Sequence, residues 1–290
     1  MTTPNIVGLV SVHGGHSGEF CSHARDTLEE IIQAYIERGF AWVGLTEHMP
    51  PVSAEFRYPD ERDLGLDTQY LYARFAKYIE TARRLQQTYA SQLEIIVGFE
   101  TESHPGYEAF VQKLIAEFRP DYVVGSLHHV HDLPIDMTEA LYRDAAQQVG
   151  GIDALYCAYF DEQVELINAL KPAVVGHFDL IRLFDPDYPR RLQQPEIWQR
   201  IRRNLERIKE LDLILDFNLR ALSKGAAEPY ISRPILLEAR DLGIAVVPGD
   251  DSHSVDSVGL HIDTGIGILQ ELGFDTNWRK PINPVAHHLT

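Results

Sequence analysis

Short runs of β-branched and other apolar residues recur along the chain. Longer stretches separate them, with apolar positions repeating at helical spacing. The runs fall at 6–12, 41–46, 93–99, 121–126, 173–176, 213–217 and 244–248. Each is brief, nearly continuous and rich in Val and Ile, the pattern of a parallel strand buried on both faces. Helical periodicity occupies 27–38, 68–89, 107–117, 152–170, 195–211 and 232–242. Asp26 is placed to cap the first of these and Gly39 to end it. Pro195 and Pro234 stand in first turns, where a missing N–H leaves no bond unmade.

Seven strands in alternation with helices predict an α/β fold: a distorted (β/α)7, TIM-like barrel forming a single domain over 1–290. Two variants stay open, an eighth strand at 265–269 and an open doubly wound sheet. No repeat, low-complexity segment or linker divides the chain. Two connections, 49–67 with Pro50, Pro51 and Pro59, and 129–151, are long enough to cover a site.

The chain has 290 residues, 44% hydrophobic and 24% charged, a composition that buries a large core. Acidic residues number 43 against 26 Lys and Arg, a net charge of −17, which disfavours a nucleic-acid partner. No apolar run reaches the ~18 residues that span a bilayer, so no membrane association is expected. The opening MTTPNIVGLVSVHGG lacks the basic and apolar regions of a signal peptide. Two cysteines, Cys21 and Cys157, exclude a disulfide framework and point to the cytoplasm. Oligomeric state is not legible.

Histidine changes the picture. There are thirteen, and they cluster just after the predicted strands. His13 and His16 follow the first, Glu47-His48 the second, Glu100 the third, His128 the fourth and His177 the fifth. Asn218 follows the sixth, and Asp251 and His253 the seventh. In this fold class the carboxyl ends of the strands form the active-site face. Imidazoles and carboxylates crowded there would strand one another unless cations compensate them. The candidate ligands are His13, His16, His23, His48, Glu100, His128, His177, Asp251 and His253. That donor set suits two or three divalent ions, with zinc, manganese and iron all open. Cys21 is either a thiolate ligand or a small buried residue. The terminal His287-His288 pair is expected outside the site.

The segments HSGEFCSHARDTLEE, GFAWVGLTEHMP, GFETE, DYVVGSLHHV, VGHFDLIRLF and GDDSH occur in that order across most of the chain. In this the chain resembles the histidinol-phosphate phosphatases of the polymerase and histidinol phosphatase (PHP) superfamily, with HSGEFCSHA similar to the fungal branch. The resemblance implies a distorted seven-stranded barrel with a trinuclear site. It implies that His16 and Asp251 share a first ion with Glu100, which bridges to a second held by His128 and His177. His23, His48 and His253 would hold a third. It also implies hydrolysis of L-histidinol phosphate to L-histidinol and phosphate, in histidine biosynthesis. There is one departure. The family begins His-x-His, yet Gly14 stands two residues before His16. His13 would have to reach the ion through a backbone shift that Gly14-Gly15 permits.

Related amidohydrolases bridge their metals with a modified lysine after the fourth strand. His128 occupies that place here, and no lysine follows any strand directly. A phosphomonoester needs cationic donors, for which Arg182 and Arg220 are candidates, with Asn218 beside them and Arg57 a weaker one. Asp251, His253 or Asp179 could assist the leaving alkoxide. Asp179 could equally support the ligand His177 or pair with Arg182, and Glu47 could equally support a ligand histidine. Glu102, Asp136 and Glu19 would suit the ammonium and imidazole of the small phosphorylated substrate. The alternatives are a related metal phosphoesterase acting on another small ester and a non-enzymatic metal-binding protein.

Overall fold

The computed structural model describes residues 8–281 of the 290. The start of the first predicted strand and His287-His288 lie outside the described residues. Seven strands form one sheet: β1 (Leu9–Gly14), β2 (Phe40–Leu45), β3 (Glu94–Glu100) and β4 (Tyr122–Gly125), then β7 (Val174–Val175), β8 (Ile214–Asn218) and β9 (Ala245–Gly249). Between β4 and β7 a small antiparallel hairpin joins β5 (His129–Val130) to β6 (Leu133–Pro134). The sheet order is β1-β2-β3-β4-β7-β8-β9, with every neighbouring pair parallel. Its two ends meet: Asp251 N donates to His13 O and His16 N to Ser252 O, each at 2.8 Å. The strand order never reverses, so the fold is a nearly closed, distorted barrel and not a doubly wound sheet.

Each predicted strand run overlaps one observed strand. The eighth strand proposed at 265–269 is instead part of the helix Ile262–Glu271, whose buried residues Ile262, Gly265, Ile266 and Leu269 recur at helical spacing. The first helix, Leu28–Glu37, is capped by Thr27 and not by Asp26. Thr27 Oγ1 accepts from Glu30 N at 3.2 Å, and Glu30 Oε2 accepts from Thr27 N at 2.8 Å, a reciprocal capping box. The connection 129–151 also holds an unpredicted helix, Glu139–Val149, whose buried stripe is only Tyr142, Ala145 and Ala146.

Val10, Val12, Trp42, Ile96, Tyr122, Val124, Val174, Ile214 and Val247 fill the barrel interior. A larger apolar layer, including Ile31, Val97, Phe160 and Leu205, packs strands against helices. Burying each such side chain contributes about 1.5–3 kcal/mol. That reserve lets the carboxyl end of the barrel hold buried imidazoles and carboxylates, which are costly to desolvate. No helix among the described residues is long and apolar enough to cross a membrane.

Candidate metal centre

The site begins with an irregularity in β1. Ser11 pairs with Val43 and Gly14 with Leu45, so β1 uses three residue steps where β2 uses two. This is a bulge, and it reverses the alternation of side chains beyond it. His13 turns inward, its Nδ1 2.8 Å from Asp216 Oδ2. Gly14 turns outward: a Cβ there would lie 2.4 Å from the Tyr35 hydroxyl and 2.7 Å from Asp250 Oδ1. Gly15 then takes a left-handed φ of +73°, which carries the chain to His16. The extra residue between the two histidines is thus absorbed within the strand.

Glu100, at the end of β3, is the hub. Its Oε1 lies 3.0 Å from His177 Nε2 and 3.4 Å from His128 Nε2. Its Oε2 lies 3.3 Å from His13 Nε2, 3.2 Å from His48 Nδ1 and 4.0 Å from His16 Nε2. One carboxylate therefore faces two separate sets of imidazoles, the disposition of a bridging ligand. Asp251 Oδ1 adds contacts at 3.4 Å to His16 Nε2 and 3.5 Å to His253 Nδ1. The His253 ring stacks on His16 with centroids 4.3 Å apart. Three groups here offer donor atoms close enough to hold an ion: His13, His16 and Glu100; Glu100, His128 and His177; His16, Cys21, His48 and His253.

Carboxylates stand behind several of these rings. Asp216 holds His13 Nδ1, Glu102 Oε2 lies 3.0 Å from His128 Nδ1, and Glu47 Oε2 lies 3.5 Å from His16 Nδ1. The Asp216 and Glu102 contacts are hydrogen bonds that fix ring orientation and leave the other nitrogen for a cation, while Glu47 faces His16 without one. His13 Nε2, His16 Nε2 and both ring nitrogens of His48 are buried without a hydrogen-bond partner. Unsatisfied buried donors of this kind fit a cation better than they fit a purely structural cluster.

The electrostatics agree. Burial pushes the Glu100 carboxyl up, but His13 and His128 outweigh it and hold it well below the usual carboxylate range. Asp251 is likewise held low, against its burial, by His13, His16 and Arg220. Burial lowers His16, yet Asp251 and Glu47 raise it to about 9. Burial dominates at His48, which falls to about 3, and at His253, which is lowered well below its ordinary value.

A cavity of about 430 Å³ opens over this centre, lined by Glu100, His128, Asp136, Arg220, Lys224 and Asp251 among others. Arg220 anchors its Nη1 on Asp251 O at 2.9 Å. Lys224 was not among the predicted site residues, and neither was Asp216. A lysine in a short helical turn after β8 carries no strand-end signal. Asp216 lies inside β8, where alternation alone reads as barrel filling.

Not every candidate faces the cavity. Arg182 does not line the cavity. Its Nε donates to Asp179 Oδ2 at 3.1 Å, its Nη2 to Glu228 O and Pro229 O, and its guanidinium lies over the Tyr188 and Tyr230 rings. Asp179 is committed to Arg182 and to the backbone and hydroxyl of Ser232. Asn218 is fully buried, and its Nδ2 donates to Asp216 Oδ2 at 3.0 Å and Asp251 Oδ2 at 3.2 Å, so it braces Asp251. Glu19 accepts from Leu28 N, and Arg57 donates to Ala54 O and Leu66 O. Glu102 sits behind His128 and also accepts from the Tyr58 hydroxyl. Cys21 is buried, and burial with Glu47 pushes its thiol up, which disfavours the thiolate. His23 is the outermost of the set: its ring lies 5.5 Å from His48 and 5.3 Å from His253, and its Nδ1 3.5 Å from Asp60 Oδ2.

A family model described as the PHP domain matches residues 14–220. A Schizosaccharomyces pombe protein named "Probable histidinol-phosphatase" is 36% identical over 268 residues, covering 91% of this chain and 87% of that protein. The crystal structure of hisK from Listeria monocytogenes is 28% identical, with a TM-score of 0.77, over 88% of this chain and 99% of that one. The histidinol phosphate phosphatase of Lactococcus lactis, solved with zinc, L-histidinol and phosphate, is 18% identical. It has a TM-score of 0.68 over 92% of this chain and 94% of that one.

Proposed function

The chain belongs to the PHP domain family, and on that premise we propose that it is a metal-dependent phosphatase hydrolysing L-histidinol phosphate to L-histidinol and phosphate. The observation that carries this reading is the division of the Glu100 carboxylate, with Oε1 facing His128 and His177 and Oε2 facing His13, His16 and His48. Glu100 with His13, His16 and Asp251 would hold one divalent ion, and Glu100 with His128 and His177 a second. His48 and His253, with His23 at the rim, would hold a third. Zinc is favoured by the Lactococcus lactis relative, and manganese and iron suit the same nitrogen and oxygen donors. Bound there, such ions activate water for attack on phosphorus and neutralise the phosphoryl oxygens.

The chain's own residues bind and orient the ester. Arg220 and Lys224 line the cavity on the side of Asp251 and supply cationic donors to the phosphate. In a protein of net charge −17 these two local cations matter, because the general field opposes a dianion. Asp136 lines the same cavity, and its Oδ1 is buried without a partner. Burial raises its carboxyl, and an incoming ammonium restores the ionised form. It is suited to the amino end of histidinol phosphate. Asp251, held anionic, serves as ligand and not as proton donor. Asp179 does not line the cavity, and its Oδ2 is engaged by Arg182 and Ser232.

The test is phosphate release by the purified chain with zinc or manganese. Histidinol phosphate is set against sugar, nucleotide and other amino-alcohol phosphates. The reading expects histidinol phosphate to be the preferred substrate, with loss of release in chelator and loss in His128→Ala. Release only from another ester would replace the substrate. No release at all, with His128→Ala behaving like the parent, would remove the enzymatic reading.

A further inference from the structure

Outside the centre just described, a second set of buried metal-binding side chains lies behind His128. Glu102 follows β3, His104 stands two residues later, and His129 opens the β5–β6 hairpin. One donor atom from each lies within 4.8 Å of the others. All three side chains are buried. Glu102 Oε2 is 3.8 Å from His129 Nδ1. The His104 ring is clamped, its centroid 4.2 Å from Phe56 in a near-parallel stack at 11° and 4.2 Å from His129.

Two observations separate this cluster from an ordinary buried hydrogen-bond network. His104 Nδ1 and His129 Nδ1 are both buried and make no hydrogen bond. A structural network would pair them, since leaving a buried polar atom unpaired costs about 1–3 kcal/mol. Second, His104 also lines an open cleft of about 890 Å³ whose other walls carry Glu108, Asp132, Asp161, Glu162 and Glu165. Asp161 is paired with Arg200 and Arg203, and the other four carboxylates around the mouth concentrate cations and offer them a way in.

We propose that Glu102, His104 and His129 form an additional divalent-cation site, distinct from the Glu100 centre and reached through the acidic cleft. Two imidazoles and one carboxylate are a donor set for zinc and similar transition cations, and a poor one for magnesium or calcium. The site shares Glu102 with His128, so a cation there draws on the carboxylate that orients a ligand of the main centre. This inference goes beyond the phosphatase reading and does not depend on it.

Zinc counting tests it. The full chain is saturated with zinc chloride, freed of excess by gel filtration, and its zinc measured by mass spectrometry. His104→Gln and His129→Gln are expected each to hold one equivalent less than the parent while melting within a few degrees of it. Cobalt titration reads the same site by the loss of one component of the visible spectrum. Should one variant fail to fold, the other carries the test. Equal zinc content in parent and folded variant would overturn the proposal. So would a loss of two or more equivalents, which would make the cluster part of the main centre. Neither readout depends on phosphate release, so failure here and failure of the catalytic reading are told apart.

Discussion

Asp216 Oδ2 lies 2.8 Å from His13 Nδ1, and both side chains are fully buried. The same oxygen receives His177 N at 3.3 Å and Asn218 Nδ2 at 3.0 Å, so one carboxylate ties β1, β7 and β8 together under the centre. Replacing it as Asp216→Asn leaves the shape but removes the charge that fixes the His13 tautomer. Metal affinity is expected to fall about 10- to 100-fold, measured by competition with a chromophoric chelator. His13→Ala is expected to lower metal content or kcat/KM by about tenfold or more. A silent His13→Ala would mean that His13 ligates nothing.

The bulge in β1 makes its own prediction. A methyl at position 14 would meet the Tyr35 hydroxyl and Asp250, both buried and hydrogen-bonded to each other at 2.8 Å. Neither can retreat cheaply. Gly14→Ala is expected to cost about 1–3 kcal/mol in urea unfolding, the range for overpacking a dense site. An unchanged midpoint would show that β1 relaxes more easily than its contacts imply.

Arg182 and Arg220 separate stability from substrate binding. Arg182 is the buried partner of Asp179, and Arg182→Ala leaves that carboxylate uncompensated. Unfolding free energy is expected to fall by about 3–5 kcal/mol, with KM little changed in whatever folds. Arg220 lines the cavity. Arg220→Ala is expected to raise KM about tenfold or more, consistent with loss of a charged hydrogen bond of about 1.5–3 kcal/mol, at nearly parental stability. Steady-state kinetics with denaturation of both variants checks the pair, and a reversed pattern would return Arg182 to the phosphate.

The pH dependence follows from His16. Burial lowers its pKa, but Asp251 and Glu47 raise it from 6.5 to about 9, and His13 and His128 are raised as well. A raised histidine stabilises the cation-free fold fully below pH 6.5, and that contribution is lost as pH climbs through about 9. For His16 the shift corresponds to about 3 kcal/mol. The chelator-treated chain is therefore expected to melt at lower temperature as pH rises from 6.5 to 9. Zinc must displace those protons to bind, so its affinity rises over the same interval. Calorimetry in buffers of different ionisation enthalpy should register proton release at pH 7, shrinking above about pH 9. Binding without proton release would contradict the assignment of these histidines as ligands.

The barrel was legible because its strands are nearly continuous apolar runs, and the donors were legible because they follow those runs. What periodicity could not convey was the supporting layer. Asp216 and Asn218 sit within β8 and its end, and only the closed barrel reveals that they face His13 and Asp251. Arg182 is ambiguous in sequence for a related reason. Its distance from β7 in sequence suited a phosphate ligand, but the turn Leu180–Arg182 directs it to Asp179, away from the cavity. Within the helix Ile262–Glu271 the five-residue core GIGIL is apolar enough to imitate a strand.

The central claim is that cations assemble on both sides of the Glu100 carboxylate. Anomalous diffraction from crystals grown with manganese or zinc measures this directly. The account predicts one peak between Glu100, His128 and His177 and another between Glu100, His13, His16 and Asp251, the second weakened in His13→Ala. Crystals saturated with either metal and showing no peak against Glu100 would contradict it.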